Sequence, residues 1–317
     1  MSSGGSVPYR LRPNKAVDRE LFLSLLLRIC PALKLENYLY IGMGGPFLDD
    51  FRLVHSRIGI DRMICVERDE NIYLRQIFNR PVETVECVHD NFDDYLDGKD
   101  LAEPVIIWFD YTDPATIISQ ISRFSLAIGQ VPLYSILKIT LNANPGSLGS
   151  PLSGLSTDGL LQWRLERFKE KMGSFYPSSV NFKGMKSTEY GRSILCSLKI
   201  AVDQEVLKNA GRKVVWALST HYADGQAMAT ATLIVCEESD TKVESVVHEW
   251  AYLSTPSNPL TIDLPVLSAF ERLTIEADPS AHEKLNYSLP ASQLGGDPLS
   301  NFRKFYRIYP HFSRVEL

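Results

Sequence analysis

The amino-acid sequence predicts an α/β protein: a parallel sheet with helices on both faces that ends in an antiparallel hairpin. Two features carry the prediction. Over the first half, short apolar runs alternate with stretches of helical periodicity, the pattern of strands joined by crossover helices. Later, two apolar runs flank Tyr222-Ala223-Asp224-Gly225-Gln226, and Asp-Gly is a strong hairpin signal.

The elements follow in order. Phe22, Leu25, Leu26 and Ile29 have helical spacing, which predicts a helix over residues 21–29 with Asp18 as its N-cap and Pro31 as its stop. Residues 38–41 make a short apolar strand that runs into Gly42-Met43-Gly44-Gly45-Pro46. A helix through Phe51, Leu53, Val54 and Ile58 closes at Gly59. A second strand, 63–66, ends at Glu67, and a helix over 70–78 closes at the Asn79-Arg80-Pro81 turn. A third strand, 82–88, ends at His89-Asp90, and a fourth, 105–109, at Asp110-Tyr111-Thr112-Asp113-Pro114. A helix over 115–127 leads to a fifth strand, 133–141. Residues 143–156, rich in Pro, Gly and Ser, read as a long loop, and 160–171 as a charged helix. Strands over 214–220 and 227–236 form the hairpin. Beyond residue 238 the periodicity weakens into a helix over 265–277, loops, and a basic-aromatic run from Phe302 to Tyr309 that reads as a half-buried terminal element. The chain thus divides into a basic segment with a helix (1–37), a main α/β domain (38–238) and an α-rich extension (239–317).

Composition narrows the classes. With 44% hydrophobic and 22% charged residues in 317, the chain is an ordinary globular protein that needs no staples to fold. A net charge of −5, from 33 basic and 38 acidic residues, argues against nonspecific coating of nucleic acid. Five cysteines (Cys30, Cys65, Cys87, Cys196, Cys236) form no CxxC pair, and three of them sit in apolar runs, so buried thiols and a cytoplasmic location are expected. The six histidines are scattered without zinc-site spacing, and no metal is expected. No apolar run reaches about 18 residues, so no membrane span is expected. Residues 1–6 are Ser/Gly-rich and lack the apolar core of a signal peptide.

Chemistry is sought where the strands end, because ligands of open parallel sheets bind beyond the carboxyl ends of the strands. Glycines in Gly42-Met43-Gly44-Gly45 allow a tight turn and close approach of a ligand to the backbone. Glu67 offers a carboxylate to paired hydroxyls, or a strand-end acid for Arg62 or Arg68. Asp90 offers one to an exocyclic amine, with Asn91 and Phe92 alongside, or caps the next helix. Asp110 and Tyr111 follow the most apolar strand and point at whatever fills the crevice.

Together these residues resemble the class I, Rossmann-like, S-adenosylmethionine-dependent methyltransferases, over residues 38–236. More narrowly, the chain is similar to uncharacterised bacterial proteins labelled O-methyltransferases. The resemblance implies S-adenosyl-L-methionine as cofactor, with Gly42, Met43, Gly44 and Gly45 beneath its methionine end. It implies Glu67 at the ribose, Arg68 among the cofactor-binding residues, Asp90, with Asn91 and Phe92, at the adenine, and Asp110 facing the methyl group. The hairpin matches the family's reversed last strand. Three departures are visible. Tyr40 stands where many members carry an acid, a small insertion falls over residues 46–50, and the post-fourth-strand motif is not the Asn/Asp-Pro-Pro-Tyr of amino-methylating nucleic-acid enzymes.

The implied activity is methyl transfer to an unidentified acceptor, with an oxygen nucleophile first. A hydroxyl acceptor needs a base or a metal. Asp110, Tyr111 and Lys138 are the catalytic candidates, with His221 a weaker one; Lys138 stands in an otherwise apolar strand and alternatively pairs with a strand-end acid. Asp110 with Asn142 or Asn144 is the oxygen-donor set of a metal-assisted version. The basic segment from Tyr9 to Arg19 is placed to fold over the crevice toward an acidic group of substrate or cofactor, or to remain a solvated surface. Two other classes stand beside this one. One is a catalytically silent cofactor- or partner-binding module, with residues 143–156 and the C-terminal third as partner surface in a homo-oligomer or with another protein. The other is an NAD-dependent oxidoreductase, against which Phe47 stands at the place of the third fingerprint glycine.

Overall fold

A computed structural model describes residues 12–151, 154–278, 285 and 287–309. One eight-stranded sheet organises them, in the order β3-β2-β1-β4-β5-β7-β6-β8. The first five strands are parallel: β1 (Leu39–Gly42), β2 (Arg62–Glu67), β3 (Val85–His89), β4 (Val105–Asp110) and β5 (Ile136–Asn142). Strand β7 (Gln226–Glu237) runs antiparallel to both β5 and its hairpin partner β6 (Arg212–Asp224). The hairpin turns at the expected Asp224-Gly225-Gln226. A short strand, β8 (Leu260–Ile262), pairs parallel to β6 and covers that edge. Three residues with only Ile262 fully buried leave too short an alternation to be seen in the sequence.

Helices pack on both faces. On one lie α1 (Pro13–Leu33), α2 (Asp49–Ile58), α8 (Lys242–His248), α9 (Ala269–Ala277) and α10 (Pro298–Phe305). On the other lie α4 (Phe92–Asp97), α5 (Ile117–Gln130), α6 (Thr157–Met172) and α7 (Tyr190–Val206). Helix α3 (Glu70–Asn79) follows β2. Polar caps start several of them where a strand has just ended: Asp69 accepts from the Ile72 N–H, and Asn91 from those of Asp93 and Asp94.

Helix α1 departs most from expectation. It begins at Pro13, a favoured first-turn residue, so Asp18 lies inside the helix and caps nothing. Pro31 sits within the last turn, where it removes one i→i−4 hydrogen bond, and the helix closes three residues later at Lys34 in the left-handed region. Helix α7 lies in a stretch for which the sequence suggested no element, although Ile194, Leu195, Leu198, Ala201 and Val202 have helical spacing and are buried. The aromatic residues of the C-terminal run, Phe302, Phe305 and Tyr309, are buried, while Arg303 and Lys304 face outward.

Candidate functional site

Strands β1 and β4 are neighbours although they are not consecutive, so the chain leaves them in opposite directions, and their carboxyl ends form the switch point at which open parallel sheets place their ligand crevice. The loop after β1 forms its floor. A Cβ on Gly44 would lie 2.8 Å from Leu48 Cδ2 and Phe51 Cε2 and 3.0 Å from Cys65 Sγ, so only glycine lets the loop settle on the core. The Gly44 N–H donates to Cys65 Sγ at 3.3 Å. From α3, Gln76 Nε2 donates to the Gly45 carbonyl at 3.0 Å and Asn79 Nδ2 to that of Pro46 at 2.8 Å. The loop is thereby fixed from below and from the side.

The neighbouring strand ends supply carboxylates. Glu67 Oε1 accepts from the Asp69 N–H at 2.9 Å, which ties the acid to the start of α3. Asp90 Oδ1 accepts from the Asn91 N–H at 2.7 Å, and the Asp90 N–H donates to the Glu67 carbonyl at 3.1 Å, so these two strand ends are joined. The Arg68 carbonyl lies 3.1 Å from His89 Nε2. Two of the expected contacts are corrected. Phe92 is only 6% exposed and packs edge-to-face on Phe109 at 5.5 Å, so it is a core residue and offers no stacking face. The Asn91 side chain is committed to capping α4. The ring pair at this end is Tyr73 and His89, stacked at 5.1 Å, a pairing between α3 and β3 that sequence spacing does not reveal.

Asp110 closes β4. Its Oδ2 lies 3.5 Å from Lys15 Nζ, and the two side chains are 10% and 9% exposed. Its Oδ1 is buried and has no hydrogen-bond partner among the described residues. Burial pulls the Lys15 ammonium down from its ordinary value, and Asp110 acts against that shift. Lys15 is held there from below: the Asp224 carboxylate accepts the N–H groups of Asn14 and Lys15 at 3.3 and 2.7 Å, and Asn14 Nδ2 donates to the Ala223 carbonyl at 2.7 Å. The hairpin end thus docks the first turn of α1 over the crevice. Of the basic entry segment, residues 9–11 lie outside the described residues, and Lys15 reaches Asp110 at the end of β4.

The other catalytic candidates have different surroundings. The Tyr111 hydroxyl donates to Asp93 Oδ1, and burial and that carboxylate hold it well above the ordinary phenol range. Lys138 is corrected from base to structural cation: it is 0% exposed, donates to Asp18 Oδ2 at 2.9 Å, and lies 4.9 and 4.8 Å from the Phe22 and Trp108 rings. Its partner comes from α1 and not from a strand end. Asp18 Oδ1 also accepts from Thr220 and Thr230 at 2.6 and 2.9 Å, which completes a sealed network. His221 is 1% exposed, and burial pulls its imidazole down to about 4. Asn142 ties two loops together, donating to the Thr112 carbonyl at 3.2 Å and accepting from the Asn144 N–H at 3.0 Å. Among the described residues no group of three or more acidic, His or Cys side chains is placed to hold a metal ion, and no helix is long and apolar enough to cross a membrane.

Residues 7–317 match the model of a family described as "Putative O-methyltransferase". No curated protein matches the sequence. Among solved structures, the chain is similar to Trm1 from Pyrococcus horikoshii in complex with S-adenosyl-L-methionine, with 13% identity and a TM-score of 0.48 over 74% of this chain. This chain spans 58% of the length of that structure. It is also similar to cofactor-bound Rv0187 from MTB, at 11% identity over 75% of this chain and 94% of that one with a TM-score of 0.37. A third is the plantazolicin methyltransferase BamL, at 14% identity over 69% and 84% with a TM-score of 0.36. The family match begins near the start of the chain and runs to its last residue, and the chain belongs to that O-methyltransferase family.

Proposed function

We propose that the crevice between β1 and β4 holds S-adenosylmethionine and that this methyltransferase directs the methyl group to an oxygen nucleophile. The observation that carries the reading is Asp110 Oδ1, a buried carboxylate oxygen without a partner among the described residues, at the mouth of a crevice floored by a fixed glycine loop. A buried acceptor left unpaired costs free energy unless a ligand completes it. Glu67 and Asp90 at the two adjoining strand ends add acceptors for the hydroxyls and amine of a nucleoside.

In this reading the Gly42–Gly45 backbone lies under the methionine portion, Glu67 accepts from the ribose hydroxyls, and Asp90 meets the adenine end. Lys15 balances Asp110 and reaches toward the cofactor carboxylate. Bound S-adenosylmethionine supplies an electrophilic methyl group carried on a sulfonium. The chain's own part is to align the acceptor and exclude water. Asp110 takes the proton from an acceptor hydroxyl, since Lys138 and His221 are enclosed. Tyr111, kept protonated and held by Asp93, shapes the wall.

Calorimetry with S-adenosylhomocysteine and with NAD tests the cofactor. Glu67→Gln is expected to weaken S-adenosylhomocysteine by about tenfold, the worth of one charge-assisted hydrogen bond. Asp110→Asn is expected to keep product binding and lose label transfer from radioactive cofactor to cell extract. Unchanged affinity in Glu67→Gln, or tight binding of NAD alone, overturns the assignment; tight binding with no labelled acceptor from any extract leaves a binding module.

A further inference from the structure

We propose a second ligand site, for a small phosphate monoester, in the basic cavity at the start of α7. The cavity has a volume of about 460 Å³ and lies between the loop preceding α7 and that helix's first turns. That volume suits a small molecule. Lys183, Lys186 and Arg192 line it, with Glu189 the single acid of the lining. Among the described residues none of the three cations has an ion pair or a side-chain hydrogen bond.

Several charges of α6 and α7 outside the cavity are paired, Arg167 with Glu170, Lys169 with Glu166, and Lys199 with Asp203, at 2.7, 2.8 and 2.5 Å. A chain with 38 acidic against 33 basic residues nonetheless lines this one hollow with three cations and a single acid. Their mutual repulsion is relieved by a bound anion.

The frame that carries the cations is preformed. Gly191 admits His221 so closely that a Cβ there would lie 2.4 Å from the ring. Ser193 Oγ donates to the Gly184 carbonyl at 3.0 Å, and Met185 and Tyr190 are buried on either side of the turn. Three cations against one acid leave a local excess of two charges, the charge of a phosphate monoester. The Ser179 and Thr188 hydroxyls supply neutral donors to its oxygens. A carboxylate would leave one positive charge uncompensated. A long polyanion would meet a chain of net charge −5 beyond the hollow. None of these residues belongs to the crevice at β1 and β4, so the site stands independently of what binds there.

The test uses phenyl phosphate, with benzoate as the monoanionic control, in calorimetry on the full chain at low salt. Phenyl phosphate is expected to bind at least about tenfold more tightly than benzoate, and about tenfold more weakly to the Lys183→Gln/Arg192→Gln double variant than to the parent. Both positions are exposed, and circular dichroism of the double variant checks that it is folded. No saturable binding of phenyl phosphate up to about 5 mM, equal affinity for benzoate, or unchanged affinity in a folded double variant overturns the proposal.

Discussion

The two faces of the central sheet solve the same problem by different physics. Toward α5 and α7 the strands present Ile41, Ile107, Phe109, Ile139, Leu141 and Leu233, all buried in a dry core. Toward α1 the alternate positions bring Lys138, Thr220 and Thr230, equally buried but matched one by one to Asp18. Thr140 on the same face accepts from Trp108 Nε1 at 3.0 Å. A dry face fails by leaving space; a buried polar face fails by leaving a charge or hydroxyl without its partner. The second failure is the costlier one, because desolvation is no longer repaid by attraction.

That contrast can be broken at three places. Lys138→Met alone strands the Asp18 carboxylate, and urea unfolding is expected to show a loss of about 3–5 kcal/mol. Adding Asp18→Leu to the same chain is expected to restore most of it; a single variant within about 1 kcal/mol of the parent would mean the pair contributes little. Next comes His221, a titratable ring packed against α7. Its imidazole titrates near 4 when folded and at an ordinary 6.5 when unfolded, so the unfolded chain binds the extra proton between those values. Stability should therefore fall as pH drops from 6.5 toward 4, by at most about 3 kcal/mol, and His221→Gln should flatten that limb in pH-dependent unfolding. An unchanged acid limb in the variant assigns the slope to other groups. The smallest effect belongs to Ile139→Val on the dry face, expected to cost about 0.5–1.5 kcal/mol with no pH dependence.

Much of the fold was legible because its signals are local. Five apolar runs ending in polar residues predicted the parallel strands, and Asp224-Gly225 predicted the turn of the hairpin. Gly44 was legible as a glycine but not as a packing glycine, since Leu48, Phe51 and Cys65 meet there only after folding. Phe92 was misread because stacking on a ligand and stacking on Phe109 leave the same mark in a sequence. In β5 the order Leu137, Lys138, Ile139, Thr140, Leu141, Asn142 alternates like a strand with one wet face, yet every one of these residues is buried. The cover is α1, which begins at Pro13, several residues before the start that its apolar spacing indicates.

What the sequence determined by itself is the succession of strands along the chain and which polar residues follow them, because hydrophobic periodicity and turn residues act over a few neighbours. What only the tertiary structure decided is which charge meets which. Lys138 finds Asp18 from 120 residues away, and Lys15 reaches Asp110 across 95. A buried ion must be neutralised by whatever folding brings within a few ångströms, and that distance is set by how the helix docks on the sheet, not by the spacing along the chain.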